Sequence, residues 1–148
     1  MNIPSTELTQ QLRSELAAVE TLYRAFSEQN PDLVDTVLAP EWDDIPLAPG
    51  QAPGPAGIKT IINMVVAAFP DVHITIHDTI QEPGKVGVRA EIGGTHLGEL
   101  FGIAPTGKKV SFRLHEFHTV ANGLITTTWH LEDWLGLFQQ LGQFPSQN

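Results

Sequence analysis

The 148-residue chain contains no cysteine, which removes disulfides, thiolate nucleophiles and sulfur-ligated zinc, and leaves a reducing compartment fully compatible with it. Positive charge is scarce: 8 Lys plus Arg stand against 17 Asp plus Glu, for a formal net charge of -9. Such a chain repels phosphate backbones and anionic lipid, so neither nucleic acid nor a membrane surface is expected as a partner. No apolar run reaches the length of a membrane span, and the start MNIPSTELTQQ lacks the basic-then-apolar order of a secretion signal. The expectation is a soluble, cytoplasmic protein. Charged residues total only 17%, below the usual ~25%, so part of the surface is expected to meet a second subunit or surround a ligand. What is present is ordinary for a folded protein: 41% hydrophobic and 7% aromatic residues exclude disorder, and the length suits one domain over residues 1–148.

Leu8, Leu12, Leu16, Val19, Tyr23 and Phe26 recur every three or four positions, the period of one helix face, with Ser5 or Thr6 as N-cap. Asn30-Pro31 opens a short second helix through Leu33, Val34, Val37 and Leu38, ending before Pro40. Between Ile45 and Gly57 four prolines and three glycines dictate a loop, either a plain surface connection or a stiff rim over a pocket. Ile58, Ile61, Ile62, Val65 and Phe69 return to helical spacing until Pro70.

From Val72 the period becomes two. Val72, Ile74, Ile76, Asp78 and Ile80 share one strand face, with His73, Thr75, His77 and Thr79 on the other; Asp78 is then a buried carboxylate or a strand-end exposure. Glu82-Pro83-Gly84-Lys85 is a turn into a second strand through Val86, Val88, Ala90 and Ile92. Val110 to Val120 and Leu124 to Leu131 form a hairpin about Asn122-Gly123. Trp134, Leu137, Phe138 and Leu141 space as a closing helix between Asp133 and Gly142, with Trp134 and Phe138 assigned to core. Helices first and antiparallel strands afterwards is an α+β order: three amino-terminal helices on a curved antiparallel sheet, a conical α+β barrel enclosing a cavity.

Two motifs fail on context. Gly102-Ile-Ala-Pro-Thr-Gly107-Lys108-Lys109 nearly spells a phosphate-binding loop, but Lys109 occupies the hydroxyl position and a strand, not a helix, follows. His115-Glu-Phe-His118 lacks one residue of the zinc-protease spacing, and on a strand its two histidines face opposite ways, so no metal is expected there. His73 and His77 lie about 13 Å apart along their strand and face solvent. With no nucleophile elbow and no Cys, acid–base chemistry by His and carboxylates remains.

The polar sites of interest lie on the last two strands: Phe112, Leu114, Glu116 and His118 on one, Thr126, Thr128, His130 and Glu132 on the other. A two-residue Asn122-Gly123 turn sets Glu116 opposite Trp129; a three-residue loop places Glu116 diagonal to His130 on one face. Periodicity leaves both registers open.

From about Glu15 to Gly142 the chain resembles the SnoaL-like polyketide cyclases and ester cyclases, in the superfamily of ketosteroid isomerase and nuclear transport factor. The stretches that carry the resemblance are Gly54-Pro-Ala-Gly57-Ile-Lys59, Ala68-Phe-Pro-Asp71-Val, Gly94-Thr-His-Leu-Gly98-Glu-Leu-Phe-Gly102-Ile-Ala-Pro-Thr-Gly107-Lys108 and Leu135-Gly-Leu-Phe-Gln-Gln-Leu-Gly142. The resemblance implies a dimer through the outer sheet surface, with Phe117, Ile125, Trp129 and Leu131 suited to the contact. It also implies an acid–base Asp on the last strand and a His on the strand before; here those positions hold His130 and Glu116, the pair exchanged. A first-strand Asn falls at Asp44.

The functional expectation is a cofactor-independent, metal-free cyclase or isomerase acting on a small apolar, carbonyl-bearing polyketide-like molecule, by aldol-type closure or by shape-driven cycloaddition. His130 moves the proton near neutral pH, Glu116 orients and tunes it, and Asp44 relays charge at the mouth. Trp42, His96, Phe112, Leu114, His118 and Thr128 would contact substrate. A non-catalytic small-molecule-binding or dimerisation module is the competing class, since fold does not fix function. An epoxide hydrolase is disfavoured by the absence of an Asp-Arg-Asp constellation.

Overall fold

The structure, a computed structural model, describes residues 4–146. Helix α1 (Ser5–Ser27) leads through a 3-10 turn at Pro31–Thr36 into strand β1 (Leu38–Ile45). Helix α2 (Gly54–Ala68) follows, then β2 (His73–Glu82), β3 (Lys85–Thr95), β4 (Lys109–Ala121), β5 (Leu124–Glu132) and α3 (Trp134–Leu141). The architecture is α+β, as the sequence order indicates. The five strands form one sheet in the order β1-β5-β4-β3-β2, antiparallel except that β1 joins β5 in parallel.

Strand β1 is the element that the spacing of residues did not show. Pro40 and two aspartates disguise it, yet an edge strand tolerates proline because one side of its ladder needs no N–H. Trp42 and Asp44 point inward and are buried, while Glu41, Asp43 and Ile45 face out. The second predicted helix shrinks accordingly to the 3-10 turn. Helix α2 begins at Gly54, four residues before its apolar run, because Pro55 suits the first turn.

The inner sheet face presents Val86, Val88, Ala90 and Ile92 from β3 and Val110, Phe112 and Leu114 from β4. Against it lie Val19 and Leu22 of α1 and Ile58 and Ile62 of α2, all buried. Each such side chain contributes about 1.5–3 kcal/mol by leaving water, so this packing holds the helices over the sheet. Asp133 caps α3 by accepting the Gly136 N–H at 2.9 Å, and Gly142 ends it with φ 72°.

Two bulges correct the strand-face assignments. In β2 the ladder skips at His77, so Thr79 turns inward while Ile80 and Asp78 are exposed. In β4–β5 the turn is the two-residue form, with Asn122 and Gly123 both at positive φ and Ala121 opposite Leu124. The ladder then skips at Thr126, and Glu116 comes to stand directly opposite His130. Neither register considered from sequence had this pairing. The same skip turns Ile125 into the core, removing it from the outer face, where Phe117, Trp129 and Leu131 are exposed.

Candidate active site

The helices do not reach the sheet everywhere. Between α1, α2, the segment after β1 and the inner faces of β4 and β5 lies a cavity of about 320 Å³. Its body is apolar, walled by Leu22, Phe26, Ile61, Val65, Phe112 and Trp134 among others. Trp134, expected in the core, therefore lines the hollow. Pro46, Leu47, Ala48, Pro49 and Gln51 complete the wall, so the proline-rich loop is a rim over a pocket.

Polar groups gather at one end. Asp44 from β1, Glu116 from β4, and Thr128, His130 and Glu132 from β5 all line the cavity. Among the described residues, Glu116, His130 and Glu132 bring ligand-capable atoms within 4.8 Å of one another. The predicted meeting of imidazole and glutamate inside the hollow is thus present. Trp42, Phe112, Leu114 and Thr128 also stand on its wall.

The partners of His130 differ from those expected. Its Nδ1 lies 2.7 Å from Glu132 Oε1 and its Nε2 lies 2.7 Å from the Pro46 carbonyl oxygen, with Asp44 Oδ1 3.4 Å from Nε2. Both neighbours within hydrogen-bond reach are acceptors, so both ring nitrogens carry protons and the ring is an imidazolium. Burial pulls its pKa down, but the hydrogen bond and charge of Glu132, the charge of Asp44 and the Pro46 carbonyl outweigh it and raise the pKa to about 9. His130 is therefore not a free base at neutral pH. Its tuning carboxylate is Glu132, two residues along the same strand face, rather than Glu116.

Asp44 is almost wholly buried. Burial raises its pKa above the ordinary carboxylate value, Gln51 and His130 oppose this, and the charges of Glu116 and Glu132 add to the rise. Gln51 Nε2 donates to Asp44 Oδ2 at 2.8 Å, while its Oε1 accepts the Ala48 N–H, so the rim loop and the carboxylate hold each other.

Glu116 ends a buried chain of donors. Trp42 Nε1 donates to Thr128 Oγ1 at 3.0 Å, leaving the single Thr128 proton for His118 Nδ1 at 2.9 Å. His118 then carries its proton on Nε2 and donates to Tyr23 Oη at 3.0 Å, and the Tyr23 hydroxyl donates to Glu116 Oε2. Burial, then the Glu116 carboxylate, raises the Tyr23 pKa well above that of a free phenol.

Two expected substrate contacts are corrected. His118 is buried behind Glu116 and does not line the hollow; it faces inward as predicted, but Tyr23 stands in front of it. His96 is buried beyond the cavity wall, against Phe69 and hydrogen-bonded through Nδ1 to Thr106. Tyr23 and Gln51 were not singled out from sequence, and Glu132, though among the polar sites of the last strand, was given no role there. Glu132 had a signal in its two-residue spacing from His130; Tyr23, the only tyrosine, was hidden in the apolar stripe of α1.

A mixed sheet, capped by helices around an apolar hollow with acid–base groups at one end, defines a small-molecule-binding fold. The SnoaL-like polyketide cyclase family matches residues 17–141, and the chain belongs to that family. Among solved structures it is similar to TsrD from Streptomyces laurentii, with 25% identity and a TM-score of 0.81, covering 97% of this chain and 100% of that one. A candidate polyketide cyclase from Bacillus cereus is 29% identical with a TM-score of 0.77, over 87% of this chain and 80% of that one. IdmH from Streptomyces antibioticus, also described as a candidate polyketide cyclase, is 27% identical with a TM-score of 0.76, over 86% of this chain and 98% of that one. No protein of curated function matches the chain. Among the described residues no helix is long and apolar enough to cross a membrane.

Proposed function

We propose that the protein is a cofactor-independent cyclase that closes a ring in a small, largely apolar, carbonyl-bearing polyketide-like molecule by acid–base chemistry. The observation that carries this reading is the gathering of Asp44, Glu116, His130 and Glu132 at one end of an otherwise apolar cavity. Asp44 serves as the base, because a carboxylate with an upward-shifted pKa is the better proton acceptor. It takes a proton from carbon beside a carbonyl; the resulting enolate carbon attacks a second carbonyl within the same molecule, forming the C–C bond. The new alkoxide recovers the proton from Asp44, so the cycle is neutral overall. The His130 imidazolium supplies fixed positive charge beside the developing anion, and the free amide N–H of Gln51 donates to the enolate oxygen. Glu116, held by Tyr23, shapes the field around both. The apolar walls hold the chain folded, so proximity supplies a large part of the rate.

The same reading takes the protein as cytoplasmic and as a homodimer through the outer sheet face, where Phe117, Trp129 and Leu131 are exposed. Its test is incubation with linear and partly cyclised poly-β-ketone esters, followed by chromatography and mass spectrometry. An isomeric or dehydrated ring product that disappears in Asp44→Asn supports the proposal. Binding without product in wild type would favour the non-catalytic alternative.

A further inference from the structure

The charges lining the hollow are unbalanced. Asp44, Glu116 and Glu132 supply three carboxyl groups, His130 supplies one imidazolium, and none of the 8 Lys and Arg residues stands on the wall. The one cation is already committed: its two nitrogens face Glu132 and Pro46 at 2.7 Å each. Should Asp44 hold a proton, Glu116 and Glu132 still leave an excess of negative charge. Tyr23 and Gln51 give neutral donors, which solvate a carboxylate without cancelling its field. A ligand that fills the cavity displaces the water that would screen that field.

From this imbalance we infer that the hollow selects a ligand whose polar end is cationic: an apolar ring system or folded chain bearing a protonated amine, seated against Glu116 and Glu132 and leaving Asp44 to the reacting carbon. A carboxylate or phosphate in that place meets repulsion and finds no guanidinium or ammonium partner. Aromatic walls from Phe26, Phe112 and Trp134 suit the apolar part. The inference rests on the cyclase reading only in taking this cavity as the substrate site, and it names the charge class of that substrate.

The test is calorimetric titration of the wild-type protein with three probes of one shape: naphthylmethylamine, naphthylmethanol and naphthoate. The amine is expected to bind at least about tenfold tighter than the alcohol, and naphthoate at least about tenfold weaker than it, as a charge some 4 Å away in a partly screened site demands. In Glu132→Gln the gap between amine and alcohol is expected to shrink several-fold. Equal affinities, or naphthoate binding best, would overturn the charge selection while leaving the cavity a substrate site. Failure of all three to bind at millimolar concentration would overturn both readings. The wild-type series decides by itself if the variant does not fold.

Discussion

Replacing Glu132 by Gln keeps a hydrogen-bond acceptor beside His130 Nδ1 while deleting the negative charge 2.7 Å from it. In the folded protein the His130 pKa stands at about 9 rather than 6.5, which corresponds to roughly 3 kcal/mol in favour of the charged ring. The side chain keeps 19% of its surface in solvent, and screening brings the contribution to stability to about 1–2 kcal/mol. The folded pKa is the raised one, so this stability is present in full below pH 6.5 and is lost as pH climbs through about 9. Glu132→Gln is expected to lower the His130 midpoint by about 1 to 2 pH units, Asp44 retaining part of the effect. Nitrogen-15 NMR of the histidine ring measures the midpoint directly, and urea denaturation at pH 6 and pH 10 measures the linked stability. A wild-type midpoint at or below 6.5, or a midpoint that ignores the substitution, would refute the assignment of His130 as a carboxylate-held imidazolium.

Three further outcomes follow from the same geometry. Tyr23→Phe removes the hydroxyl between Glu116 and His118, leaving the carboxylate and the ring N–H only their own 3.4 Å contact, and is expected to destabilise the fold by about 1–2 kcal/mol. Denaturant titration checks this; a loss under 0.5 kcal/mol, an order-of-magnitude bound for a single exposed contact, would sink the donor chain. The proposed homodimer predicts that wild type sediments as a dimer and that the pair Phe117→Asp and Leu131→Asp, both on the exposed sheet face, yields monomers by sedimentation velocity with the fold intact. An unchanged sedimentation coefficient would remove this face as the dimer contact. Gly57→Ala is expected to unfold the start of α2, since its Cβ would lie 1.7 Å from the Ala52 carbonyl oxygen; circular dichroism matching wild type would contradict that packing.

The elements whose signals are local were readable. The apolar stripe of α1, the Pro83-Gly84 and Asn122-Gly123 turns, and the Asp133 and Gly142 ends of α3 each follow from a short-range physical rule, and all stand where expected. Strand β1 was not, because what makes Leu38–Ile45 a strand is its partner β5 rather than its own composition. The bulges at His77 and Thr126 escaped for a related reason: alternation on either side of a bulge looks regular, and only the ladder reveals the slipped residue. That slip decides the site, since it sets Glu116 across from His130 and sends Ile125 inward. The order of helices and strands supplied the hollow and the resemblance to the cyclase family supplied Asp44, while the partners of each acid and base came from the three-dimensional arrangement. His130 had two carboxylates within reach in sequence or register, Glu116 and Glu132, and side-chain direction chose the nearer neighbour on its own strand.

The central claim is that Asp44 moves a proton on a carbon atom inside the hollow. β-Tetralone, an apolar bicyclic ketone, exchanges the protons beside its carbonyl slowly in heavy water, and proton NMR follows the wash-in of deuterium. The account predicts exchange above the buffer rate with wild type and a return to that rate in Asp44→Asn, whereas exchange that is absent in wild type or undiminished in the variant contradicts it.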